Sequence, residues 1–178
     1  MRYVALLRAV NVGGRTVKMD RLCALFEEMK LRNVESFIAS GNVIFESTGG
    51  ASSLESKIEK HLEKSLGWAV PTMVRSCGDI AAVAEYTPFP TLKPPAGKSG
   101  LYVGFLKGIP NAAGLAKLTE LGGKSNDFHI HGRELYWYAR DRMSVLKLPI
   151  TAFEKALGVP ATFRNVNTVR RLAEKFPG

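Results

Sequence analysis

The chain has 178 residues, 46% of them hydrophobic and 23% charged, with 25 Lys and Arg against 16 Asp and Glu for a formal charge of +9. Those proportions describe a basic globular protein and exclude a disordered, collagen-like or disulfide-dense chain. No apolar run approaches the ~18 residues needed to cross a membrane, so no membrane partner is expected.

Residues 2 to 10 form a mostly apolar run and predict a strand. Arg8 interrupts it before it reaches the length of a signal-peptide core, and no small-residue cleavage site follows, so the expected compartment is the cytoplasm. Val17 to Met29 put Leu22, Leu25, Phe26 and Met29 on one helical face. Glu35 to Ser47 reads strand, turn, strand, with Ser40-Gly41-Asn42 at the reversal. A second helix carries Leu54, Ile58, Leu62 and Leu66 and stops at Gly67. Val70 to Arg75 supplies another strand, and Asp79 to Tyr86 a trailing helix. Thr87 to Gly100, with the Pro94-Pro95 pair, has no sustained period and reads as a linker. Beyond it come a strand at 101 to 107, a helix from Asn111 to Leu121, a hairpin over Asp127 to Ala139, a helix at Ile150 to Leu157, a strand at 160 to 164 and a helix from Asn167 to Phe176. Cys23 and Cys77 have no Cys or His at metal-binding spacing and read as free thiols.

The two sides of the linker resemble each other. Tyr3-Val4-Ala5-Leu6-Leu7-Arg8 matches Tyr102-Val103-Gly104-Phe105-Leu106-Lys107, Glu63-Lys64-Ser65-Leu66-Gly67 matches Glu154-Lys155-Ala156-Leu157-Gly158, and Val70 to Arg75 matches Val159 to Arg164. The matches keep their order while the offset shrinks from 99 to 91 to 89, as deletions in a diverged copy produce. The expected fold class is α+β, with two tandem ferredoxin-like (βαββαβ) halves from an internal duplication, each followed by an extra helix. The halves are residues 1–86 and 101–178, joined by the Pro/Gly-rich linker 87–100.

Charge is unevenly shared between the sides. Residues 1–90 hold 11 basic and 10 acidic side chains, whereas residues 91–178 hold 14 and 6. The second half is thus at +8, which suits either a polyanion-attracting surface or plain solubility.

Three motifs together carry a family pattern: Tyr3-Val4-Ala5-Leu6-Leu7-Arg8-Ala9-Val10-Asn11-Val12-Gly13-Gly14, then Ser40-Gly41-Asn42-Val43-Ile44-Phe45, then Thr162-Phe163-Arg164-Asn165-Val166-Asn167-Thr168-Val169. They resemble the bacterial DUF1697 family, a domain of unknown function. The resemblance implies a two-part α+β fold with ferredoxin-like halves, and it brings no established activity. Two departures stand out. The family usually has Gly where this chain has Ala9, and a Ser-Lys-Leu triplet where it has Leu146-Lys147-Leu148, so a site that used that Ser is altered around Lys147.

The segment from Arg8 to Lys18 joins a strand to a helix. Gly13 and Gly14 let backbone amides approach an anion at a helix N-terminus, with Arg8, Arg15 and Lys18 adding charge and Asn11 a polar side chain. It is neither a Walker A loop nor a dinucleotide fingerprint, so no nucleotide cofactor is implied. Equally, it is a turn needing positive φ, with Thr16 as cap. Ser40 and Asn42 either complete a tight hairpin turn around Gly41 or offer hydrogen bonds to a ligand. Arg164, at a strand end, is either a bidentate anion holder or part of the fold, and Asn165 or Asn167 can cap the helix that follows.

Asp127, His129 and His131 share one face of a strand, which a metal site and a half-exposed strand both produce; no metal is expected. Of Tyr136, Trp137 and Tyr138, one face belongs to the core. The other offers an aromatic platform for bases among Arg133, Arg140 and Arg142. No Ser, His and acid set or carboxylate pair stands out by spacing. The residues therefore favour a binder of an anionic, phosphate-bearing small molecule or of nucleic acid, with no cofactor. They leave open a small enzyme whose groove lies between the halves, and a structural or partner-binding module; the oligomeric state is not legible.

Overall fold

The computed structural model describes residues 1–38, 41–97, 100–141 and 148–178. Its first seven elements are β1 (Arg2–Leu7), α1 (Met19–Glu28), β2 (Arg32–Ser36), β3 (Asn42–Glu46), α2 (Ala51–Leu66), β4 (Thr72–Ser76) and α3 (Cys77–Glu85). Then follow β5 (Gly100–Leu106), α4 (Gly114–Gly122), a 3-10 turn at Gly123–Ser125, β6 (Asn126–His131), β7 (Glu134–Ala139), α5 (Ile150–Leu157), β8 (Ala161–Asn165) and α6 (Val166–Lys175). The fold is mixed α+β, with two four-stranded antiparallel sheets ordered β2-β3-β1-β4 and β6-β7-β5-β8.

Side-chain alternation explains why β1 reads as an unbroken apolar run. Tyr3, Ala5 and Leu7, with Val43, Phe45 and Val74 of the neighbouring strands, pack against Leu22, Leu25 and Phe26 of α1 and Ile58 and Leu62 of α2. The intervening Val4, Leu6 and Ile44 belong to the opposite face, and they are buried as well. A strand covered on both faces has no position that favours a polar residue. In the second sheet Leu106, Leu135, Trp137 and Ala161 pack against Phe153 and Leu157 of α5 and Leu118 of α4.

Several boundaries differ from the sequence expectation for identifiable reasons. The first strand stops at Leu7 because Ala9 turns to φ 58°. Helix α1 begins at Met19, and its N-cap is Lys18 in an extended conformation, so Thr16 does not cap it. Helix α4 starts at Gly114, after a turn closed by the Gly114 N–H to the Asn111 carbonyl. The trailing helices follow their strands directly. Ser76 Oγ accepts from the Asp79 N–H while Asp79 Oδ2 accepts from the Ser76 N–H, both at 3.0 Å, a reciprocal cap at the start of α3. Asn165 takes the same place before α6, its Oδ1 accepting from the Asn167 N–H at 2.9 Å.

Contacts group the chain into two compact units, Met1–Ala82 with Leu172–Gly178, and Val83–Arg171. In the first, Phe176 meets Phe37 edge-on at 5.9 Å and Lys175 pairs with Glu35 at 3.2 Å. In the second, residues 86–97 after α3 form no helix or strand, but Phe89 packs edge-on to Tyr138 at 6.1 Å and the Tyr138 hydroxyl donates to the Lys93 carbonyl.

Candidate functional site

In the first unit, the loop from β1 to α1 is a small closed hairpin. Val12 and Arg15 form an isolated antiparallel bridge, the Arg15 N–H donates to the Val12 carbonyl at 3.1 Å, and the Asn11 N–H donates to the Arg15 carbonyl at 2.9 Å. Gly13 and Gly14 are the two central residues, at φ 59° and 80°, the pair of positive values that a type I′ turn requires. Asn11 Oδ1 accepts from the Val17 N–H at 2.9 Å and ties the hairpin to the chain entering α1. Gly14 thus lies five positions before Met19, so the two glycines belong to this turn and not to the first turn of the helix.

Gly13, Gly14, Arg15 and Lys18 are exposed, Arg8 is half-buried, and a Cβ on either glycine would meet nothing within 4 Å. Among the described residues, the Gly13 and Gly14 N–H groups donate to no protein acceptor. Gly41, which leads into β3, approaches the same end of the sheet: the Leu7 N–H donates to the Gly41 carbonyl at 2.8 Å, and a Cβ on Gly41 would sit 3.2 Å from Leu7 Cβ. Asn42 is fully buried opposite Leu6, and its Nδ2 donates to the Phe37 carbonyl at 3.1 Å. Ser40 lies outside the described residues, as do Arg142 and Lys147.

In the second unit, Arg164 is buried in β8 opposite Val103. Its Nη1 donates to Thr162 Oγ1 and to the Phe163 carbonyl, both at 2.9 Å. Burial pushes its pKa down to about 10, so it remains a cation at neutral pH. Its counterpart Arg75 is also buried, donates to the Val74 carbonyl at 3.0 Å and lies 3.7 Å from Glu55. Both arginines have close partners inside the fold.

The remaining motifs are also engaged. Asp127 pairs with Arg140, the Tyr86 ring stacks 4.5 Å from that of His131, and the Tyr86 hydroxyl and His129 Nε2 lie 2.8 Å apart. Among the described residues no three His, Cys, Asp or Glu side chains gather to hold a metal. The aromatic platform is not open: Tyr136 and Tyr138 are buried, the Tyr136 ring lies 5.0 Å from that of Tyr86, and burial raises the Tyr136 pKa. Trp137 is in the core, its Nε1 donating to Asn126 Oδ1 at 2.7 Å. Both faces of β7 are therefore covered.

The structure also has a half-open pocket of about 160 Å³ that includes Tyr86, Phe89, Leu92, Leu101, Tyr138 and Arg170. Sequence reading missed it because most of its wall comes from residues 87–97, which read as a linker. The available signal was composition: Phe89 and Leu92 are apolar side chains that a solvated linker has no use for.

The model of the family described as protein of unknown function (DUF1697) matches residues 1–136. No curated protein matches the chain. Its fold is similar to that of the conserved bacterial protein SP0830 from Streptococcus pneumoniae, with a TM-score of 0.77 and 22% identity over 98% of this chain and 97% of that one. By the extent of the family match, the chain belongs to the DUF1697 family.

Proposed function

We propose that the chain is a binding protein for an anionic, phosphate-bearing ligand, held at the loop from Arg8 to Lys18. The observation that carries this reading is the pair of exposed, unbonded amides of Gly13 and Gly14, with Arg15 next in the chain and Lys18 four residues beyond Gly14. Backbone N–H groups without an obstructing Cβ, reinforced by cations, hold phosphate oxygens without a dedicated side-chain acid or base. The side chains of Asn42, Arg164 and Asn165 are assigned to the fold, since their bonds hold a hairpin, a strand and a helix cap.

The same reading treats residues 1–86 and 101–178 as two copies of a ferredoxin-like unit joined by 87–100. Matching strand order supports it, together with paired backbone bonds at equivalent positions: Arg8 N–H to the Pro71 carbonyl and Lys107 N–H to the Pro160 carbonyl. Its cytoplasmic placement is supported by the free thiols of Cys23 and Cys77.

The test is an amide-resolved NMR titration of the full chain with inorganic phosphate, alongside fluorescence anisotropy with short single-stranded oligonucleotides over a salt series. Gly13 and Gly14 resonances should move saturably with phosphate, and R15A combined with K18A should weaken binding about tenfold. Unmoved glycine amides would sink the proposal. Oligonucleotide affinity falling steeply with salt would identify nucleic acid as the source of the phosphate.

A further inference from the structure

The pocket in the second unit has a chemical character that nothing in the loop reading explains. Its deepest members, Leu101 and Tyr138, are buried and stand opposite each other on β5 and β7, forming one continuous apolar surface. Phe89 turns an edge toward the Tyr138 ring at 6.1 Å. Pro94 and Pro95 form part of the wall, and their locked φ means that little chain entropy is lost on binding. Two cations, Lys93 and Arg170, complete the lining, and among the described residues no acidic one does. Both are exposed, and among the described residues neither side chain has a hydrogen-bond or ion-pair partner.

Size narrows the occupant. A dry cavity of about 150 Å³ accommodates benzene, and this pocket offers about 160 Å³ with an open side. One six-membered ring fits, and a charged substituent can remain in the mouth. An apolar aromatic wall beside two uncompensated cations complements a ring that carries a single anionic group. We propose that this pocket is a binding site for a one-ring aromatic carboxylate, with the ring against Leu101, Phe89 and Tyr138 and the carboxylate at Arg170 and Lys93. This site is separate from the loop in the first unit and does not rest on the phosphate reading.

The experiment is an amide-resolved NMR titration of the full chain with phenylacetate, with benzyl alcohol and acetate as comparison probes. Saturable shifts at Leu101 and Tyr138 are expected with phenylacetate and much weaker ones with either comparison probe, since each lacks one of the two features. R170Q, on an exposed helical position, should weaken phenylacetate binding about tenfold, and L92W, which fills the pocket, should abolish it. The R15A and K18A pair should leave it unchanged, which separates failure of this site from failure of the loop. Equal shifts with benzyl alcohol would overturn the anionic part. Absence of saturable shifts, or binding that survives L92W in a folded chain, would overturn the site.

Discussion

Ala9 adopts φ 58°, a conformation that glycine reaches freely and that costs a residue with a Cβ about 1–2 kcal/mol. It ends β1 and directs the chain into the Gly13-Gly14 hairpin, so the bend is imposed by the surrounding bonds against the residue's own preference. The resembled family's usual glycine at this position has a physical reason in that angle. Replacing Ala9 with Gly should raise stability by about 1 kcal/mol, seen as a melting temperature higher by about 2–4 °C for a chain of this size. An unchanged or lower melting temperature would show that the alanine methyl is worth more than the strain. Ile38 at φ 58° is another such residue, β-branched and 43% exposed, and nothing among the described residues explains it.

At the scale of elements, the helices differ in how they stop. α2 and α5 end on Gly67 and Gly158, left-handed at φ 84° and 74°, each donating to the carbonyl four residues back. The end of α1 has the same task with a less suitable residue. Lys30 at φ 62° donates to the Glu27 carbonyl at 2.8 Å and Leu31 donates to the Phe26 carbonyl at 3.4 Å, the paired bonds of a Schellman cap. Leu31 and Phe26 are both buried there, which supplies the apolar contact that fixes the cap. K30G is therefore expected to stabilise the protein by about 1 kcal/mol, whereas G158A should cost about that much. Urea denaturation of both variants, read as midpoint shifts at constant slope, checks the pair; shifts of the same sign would contradict the cap assignment.

At the scale of the molecule, chain order and spatial grouping diverge at the C-terminus. Residues 172–178 count with the first unit, where Phe176 is buried against Phe37. Truncating that ring removes a core contact more than a hundred residues away in sequence, so F176A should cost about 3–5 kcal/mol. Hydrogen exchange should show lost protection in β2, which carries the Glu35 partner of Lys175; unchanged exchange there would refute the placement. The alternation in β1, the helical spacing of Leu54, Ile58 and Leu62, and the repeat that pairs Arg75 with Arg164 were legible in the chain, because local periodicity and self-similarity depend only on neighbours in sequence. The same locality made Asp127, His129 and His131 look like a ligand set and Tyr136 and Tyr138 like an open platform. Tyr86, brought against that strand from outside it, decides otherwise for His129, His131 and Tyr136. Composition and period by themselves determined an α+β chain of two similar parts, with its helices and strands nearly in place. Only the tertiary structure decided which polar groups are consumed by the fold and which remain exposed, because burial and hydrogen-bond partnership are set by residues distant in the sequence.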